Sequence, residues 1–166
     1  MALLEILKYP DRRLKQVSGS VERFDATLRD FVVRLEGAMR AGPGAVGIAA
    51  PQVGRFERIV IVDVSQRRET PGHGCLVLVN AEITDWDGLA IGREGCLSVP
   101  DYTGNVVRAQ TIEVQARDVD GVRQTYACEG FEARAIQHEL DHLDGVLFLD
   151  RLVSRRNDLF RRKVYQ

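Results

Sequence analysis

No stretch of the 166-residue chain is apolar for long enough to cross a membrane, so a helical anchor is not expected. The opening "MALLEILKYPDRRL" has few apolar residues before Glu5, Lys8 and Asp11 interrupt, and it lacks the apolar core and cleavage site of a secretory signal. Cysteine is scarce. Cys75, Cys96 and Cys128 include no C-x-x-C pair, which fits a reducing compartment better than a disulfide framework; the cytoplasm is the expected location. An excess of charge is also lacking. With 23 basic and 24 acidic residues the net charge is -1, so neither DNA nor an anionic membrane is an expected partner. The local exception is a basic C-terminus holding Arg151, Arg155, Arg156, Arg161, Arg162 and Lys163. What is present, 45% apolar and 28% charged residues without repeats, is the composition of a soluble globular chain, and its length predicts one domain over 1–166.

Helical spacing marks "FDATLRDFVVRLEGAMRAG", where Phe24, Leu28, Phe31, Val32, Leu35 and Met39 recur, Asp25 serves as N-cap and Gly42 as stop. The following "PGAVGIAAPQVG" is too rich in Gly and Pro for regular structure and too apolar for a solvated linker, so a buried or cleft-lining loop is expected. "RIVIVDVS" reads as a strand, and "GCLVLVNAEITDWDG" as another ending in a turn at Asp87-Gly88. Alternation on both sides of Asp120-Gly121 predicts a hairpin. Helical spacing returns at Phe131 and stops at Gly145, and a further short helix is expected over 154–163. The expected class is α+β: mostly antiparallel sheets packed around a C-terminal helix carrying HELDH, with an amphipathic helix near the N-terminus.

His138 and His142 in "IQHELDHLDG" are four residues apart, so on a helix both imidazoles can reach one ion, with Glu139 beside it to exchange a proton with water. Two partly exposed histidines on a surface helix would give the same letters. A catalytic ion usually takes three protein ligands, and the candidates for the third include His73, Cys75, Cys96, Cys128 and several carboxylates. Cys96 stands out, because Gly95 and a short apolar turn flank it. Cys75 and Cys128, in apolar or alternating strands, read as core residues, and His73 reads as exposed and inert.

Three separated stretches resemble the motifs of the peptide deformylase family. "AVGIAAPQVG" is similar to G-x-G-x-A-A-x-Q, "EGCLS" matches the second motif and "QHELDH" the third, with likeness in the flanking "ILKYPDRRL", "LVNAEI" and "HLDGVLFLDRL". Nearly the whole chain is covered. The resemblance implies removal of the N-formyl group from the initiator methionine of nascent polypeptides, with release of formate. It implies Cys96, His138 and His142 as metal ligands, Glu139 as acid/base, and the Gln52 side-chain amide with the Leu97 backbone N–H as oxyanion donors. Fe(II) would be the native ion, with Zn(II), Ni(II) or Co(II) able to replace it, and in some members the basic C-terminus meets the ribosome.

An extended substrate is expected to run along "VGIAAPQ", with Gly47 allowing close approach and Ile48 and Leu97 among candidates for the methionine pocket. Glu94 is either an orienting partner of a ligand histidine or an ion-pair partner of Arg108 or Arg134. The first motif departs at Ala45, where the family has Gly; if that position needs a positive φ or very close backbone approach, the methyl group would shift the loop and lower substrate affinity. The rival readings are another His-Glu-x-x-His metallohydrolase and a non-catalytic formyl-peptide-binding domain; loss of Glu139 would mark the latter.

Overall fold

A computed structural model describes residues 2–162. Helix α1 (Ala26–Ala41) begins where the Asp25 carboxylate accepts the Leu28 N–H, and it ends at Gly42. Its buried stripe holds Leu28, Phe31, Val32, Leu35 and Met39 of the expected face and adds Ala38, while Phe24 precedes the helix and packs partly buried against the same core. Each of its larger side chains contributes about 1.5–3 kcal/mol through burial.

The sheet has six strands among the described residues: β1 (Gly47–Ala49), β2 (Ile59–Asp63), β3 (Cys75–Cys96), β4 (Val99–Arg117), β5 (Arg123–Glu129) and β6 (Leu159–Arg161). Strands β1 to β5 lie in chain order and β6 pairs with β4, every pair antiparallel. All five residues of β2 are buried, because α1 covers one face and α2 (Gly130–Leu143) the other. Two cores result: Ile48, Ile59 and Ile61 pack with α1, while Val60, Val62 and Leu78 pack with Ile136, Leu140 and Leu143 of α2.

The expected loop at 43–54 contains a short edge strand, β1, followed by a 3-10 turn over Ala50–Val53. Asp87-Gly88 is not a turn. β3 runs through it, Asp87 opposite Thr111 and Leu89 opposite Ala109, since β4 offers a partner on both sides. The chain reverses instead at Leu97-Ser98, between paired Cys96 and Val99. Asp120-Gly121 does turn the chain between β4 and β5. Over 154–162, β6 replaces the expected helix because Leu159, Phe160 and Arg161 find an open edge at Gly104, Thr103 and Tyr102; Lys163 lies outside the described residues. Cys75 is exposed at the start of β3, not buried in the core, and its thiol donates to Glu36.

Candidate active site

Two structural devices bring the second and third sequence motifs together. The Leu97-Ser98 reversal holds Cys96 at the end of a 22-residue strand, and α2 carries His138 and His142 on one face. The Cys96 Sγ and one nitrogen from each imidazole lie within 4.8 Å of one another, and all three residues are buried. Cys96 Sγ is 3.3 Å from His142 Nε2, and the imidazole rings meet edge to face with centroids 5.2 Å apart. The second His73, Cys128 and Glu132 group lies apart from this cluster.

Glu94 satisfies both readings at once. Its Oε1 is 2.9 Å from His138 Nδ1, which leaves Nε2 to face Cys96, and the same carboxylate takes a two-pronged contact from Arg108 at 2.9 Å on each oxygen. Arg134 adds a bond of 2.7 Å. Burial alone would raise the Glu94 carboxyl, but Arg108 and then His138 hold it well below the usual carboxylate range. Arg108 continues to Asp141 at 2.6 Å, and Asp141 is gripped by Arg151 at 2.5 and 3.0 Å. This chain of alternating charges runs behind the histidines from β3 through β4 to α2 and to the 3-10 turn at Phe148–Arg151.

Gln52 is 1% exposed, and its amide is oriented by two contacts. Its Oε1 accepts the Ala49 N–H at 2.9 Å, so Nε2 donates to Ser98 Oγ at 3.0 Å and points to Cys96 Sγ at 3.5 Å. The Ser98 N–H also faces the Cys96 sulfur at 3.4 Å. Leu97, first residue of the reversal, lines a cleft of ≈ 870 Å³ together with Val46, Gly47, Gln52, Cys96, Phe131, Ala135, His138 and Glu139.

Glu139 is buried against β1. A Cβ on Gly47 would stand 2.5 Å from Glu139 Oε2, so the missing side chain makes room for this carboxylate. Ile48 is wholly buried in the α1 core, so its side chain does not form the methionine pocket. Ala45 is not among the residues of positive φ, so its methyl group imposes no left-handed backbone strain, and it lines the cleft.

The donor set fits a divalent ion. Sulfur and two imidazole nitrogens suit borderline metals such as iron or zinc. Glu139 Oε1 and His142 Nδ1 are two of only three buried side-chain polar atoms without a partner among the described residues. Burial pushes the Glu139 carboxyl up to about 7. Burial also drives His142 well down, toward the neutral form that ligates. For His138 burial acts the same way, but Glu139, Cys96 and Glu94 outweigh it and raise the group, so its surroundings favour a cation.

Ser98, Arg108, Asp141 and Arg151 were not singled out as site residues in the sequence. The letters of "EGCLS" and "HELDH" contain two of them, yet only the fold reveals their contacts. The basic C-terminus is divided: Arg151 holds Asp141, while Arg162 reaches the cleft near Gly95.

The family model of the polypeptide deformylases matches residues 3–158. A peptide deformylase of Thermodesulfovibrio yellowstonii is 39% identical over 163 residues, covering 98% of this chain and 97% of its own. One from Chromobacterium violaceum is 41% identical, covering 99% and 95%. Among solved structures, the peptide deformylase of Thermotoga maritima superposes with a TM-score of 0.85 at 33% identity, covering 93% of this chain and 100% of its own. A Met-Ala-Ser-bound class I type b peptide deformylase of Acinetobacter baumannii gives 0.84 at 34% identity, covering 91% and 99%. Full-length similarity at this level, with the three motifs gathered at one buried centre, means that the chain belongs to the polypeptide deformylase family.

Proposed function

We propose that the cleft hydrolyses the N-formyl group of formylmethionyl peptides at the Cys96, His138 and His142 centre. The observation that carries this reading is a buried Glu139 carboxyl, its Oε1 without a partner among the described residues, beside those three donors, with the Gln52 amide aimed at the same sulfur. Fe(II) is the proposed native ion, and Zn(II), Ni(II) and Co(II) suit the same donors. A divalent ion held there supplies Lewis acidity, which makes water nucleophilic near neutral pH and draws charge onto the formyl oxygen.

Glu139 takes the proton from the attacking water and passes it to the departing amine. Burial raises the Glu139 carboxyl, and the charge of an ion held beside it would favour the carboxylate that accepts the water proton. Gln52 donates from Nε2 to the oxyanion; because Ala49 holds its oxygen, the amide need not reorient during the reaction. The Leu97 N–H, beside Cys96 in the reversal, is the second donor. Glu94 keeps the His138 proton on Nδ1 and so presents Nε2 as the ligand.

β1 forms an edge of the sheet, which supports addition of the extended peptide along Gly47 and its neighbours. Val46, Leu97, Phe131 and Ala135 offer an apolar wall for the methionine side chain, and this wall replaces Ile48 in the expected pocket. The Met-Ala-Ser complex of the A. baumannii relative supports a tripeptide of that kind as the test substrate. Nascent chains bearing formylmethionine would be met in the cytoplasm, and Arg155, Arg156 and Arg161 remain as a basic surface for the ribosome. Incubating Fe(II)- or Ni(II)-loaded protein with formyl-Met-Ala-Ser and its acetyl analogue should release formate from the first and leave the second intact. Absence of formate from metal-loaded protein would refute the activity.

A further inference from the structure

His73, in the segment leading into β3, Cys128, near the end of β5, and Glu132, in the first turn of α2, form a second convergence of donor atoms, all within 4.8 Å of one another. His73 Nδ1 is 2.6 Å from Glu132 Oε1 and 3.9 Å from Cys128 Sγ, and the His73 backbone N–H donates to Glu132 Oε2 at 2.7 Å. The Glu132 side chain is 1% exposed while that of His73 is 37% exposed, so the group is sealed on the protein side and open to solvent on the other.

Glu132 is a buried carboxylate whose one ion-pair partner among the described residues is an imidazole; neither Arg nor Lys reaches it. A buried anion without a permanent cation is costly. Cys128 adds a second group that is anionic when it ligates. We propose that His73, Cys128 and Glu132 form a second divalent-metal site of the zinc type, which clips the segment before β3 to the start of the helix that carries the catalytic histidines. A tetrahedral ion with bonds of about 2.0–2.3 Å separates its donors by roughly 3.3–3.6 Å. The 3.9 Å contact is near that span, and the 2.6 Å contact is a direct hydrogen bond that the ion replaces.

Cys128 contributes sulfur beside the nitrogen of His73 and the oxygen of Glu132, a donor set that favours thiophilic metals such as zinc. The exposed edge of His73 gives the ion its way in and a fourth position for water. The clip bears on the cleft as well: in the same segment Arg67 stacks over the Phe131 ring at 4.0 Å, and both residues line the cleft wall.

Equilibrium dialysis against Co(II), with cobalt per chain and thiolate-to-cobalt absorption as readouts, tests the site apart from turnover. The wild type is expected to take two ions. His73→Ala, which alters a partly exposed side chain, and Cys128→Ser should each take one and still release formate from formyl-Met-Ala-Ser. Cys96→Ser should instead lose the catalytic ion and keep the second, so failure at one centre is distinguishable from failure at the other. A single ion in the wild type, or a second ion retained by folded His73→Ala protein, would overturn the proposal.

Discussion

The two donor clusters lie along the same helix but are held in different ways. At the C-terminal half of α2, His138 is fixed by Glu94, which Arg108 and Arg134 brace, and the bracing continues through Asp141 to Arg151. At its first turn, Glu132 meets His73 directly, and the His73 side chain is open to solvent. A centre that must aim a ligand and a base at one reacting atom needs each group oriented by another. A clip between two segments needs only that its donors converge.

Removing the brace should therefore have the largest effect. Glu94→Ala leaves Arg108 and Arg134 buried without their carboxylate and frees the His138 ring. We expect a loss of about 3–5 kcal/mol in unfolding free energy, with metal affinity falling by about 10–100-fold, readable by denaturant titration and competitive chelation. An unaltered metal affinity would mean that the network serves packing alone.

Gly47→Ala should act on the base and leave the ligands alone. Its methyl group would stand 2.5 Å from Glu139 Oε2, and displacing that carboxylate should lower kcat by about 100-fold with metal content unchanged. A full-rate Gly47→Ala enzyme would remove the close packing of β1 and Glu139 from the account. The smallest effect is expected at the outer end of the brace. Arg151 is 49% exposed, so Arg151→Ala should cost about 1 kcal/mol or less and leave the metal in place.

The helices were legible because their evidence is local. Leu28 to Met39 repeat on one face, Asp25 caps one end of α1, and Gly145, with φ of 73°, lies just past the end of α2. The candidate donors that the fold gathers were legible for another reason: imidazole, thiol and carboxylate chemistry is written in residue type. The orientation of those donors was not. Glu94, Arg108 and Asp141 lie far apart in sequence, and only strand pairing puts Arg108 opposite Ala90 and within reach of both acids.

A short turn beside Cys96 was expected, but Leu97-Ser98 carries a weaker turn signature than Asp87-Gly88, which is spanned by a strand all the same, so the letters alone did not mark it as the reversal between the two long strands. β6 was mistaken for helix because an edge of β4, remote in sequence, decides its conformation. His73 likewise looked inert from its loop, since the acid beside it is 59 residues away.

In the proposed mechanism Glu139 does chemistry without holding the metal. Formate release and metal content should be measured together on Glu139→Gln protein, side by side with the wild type. The variant should hold a full complement of metal and turn over about 10²–10⁴-fold more slowly. A variant that keeps its metal and turns over formyl-Met-Ala-Ser at the wild-type rate would contradict that mechanism.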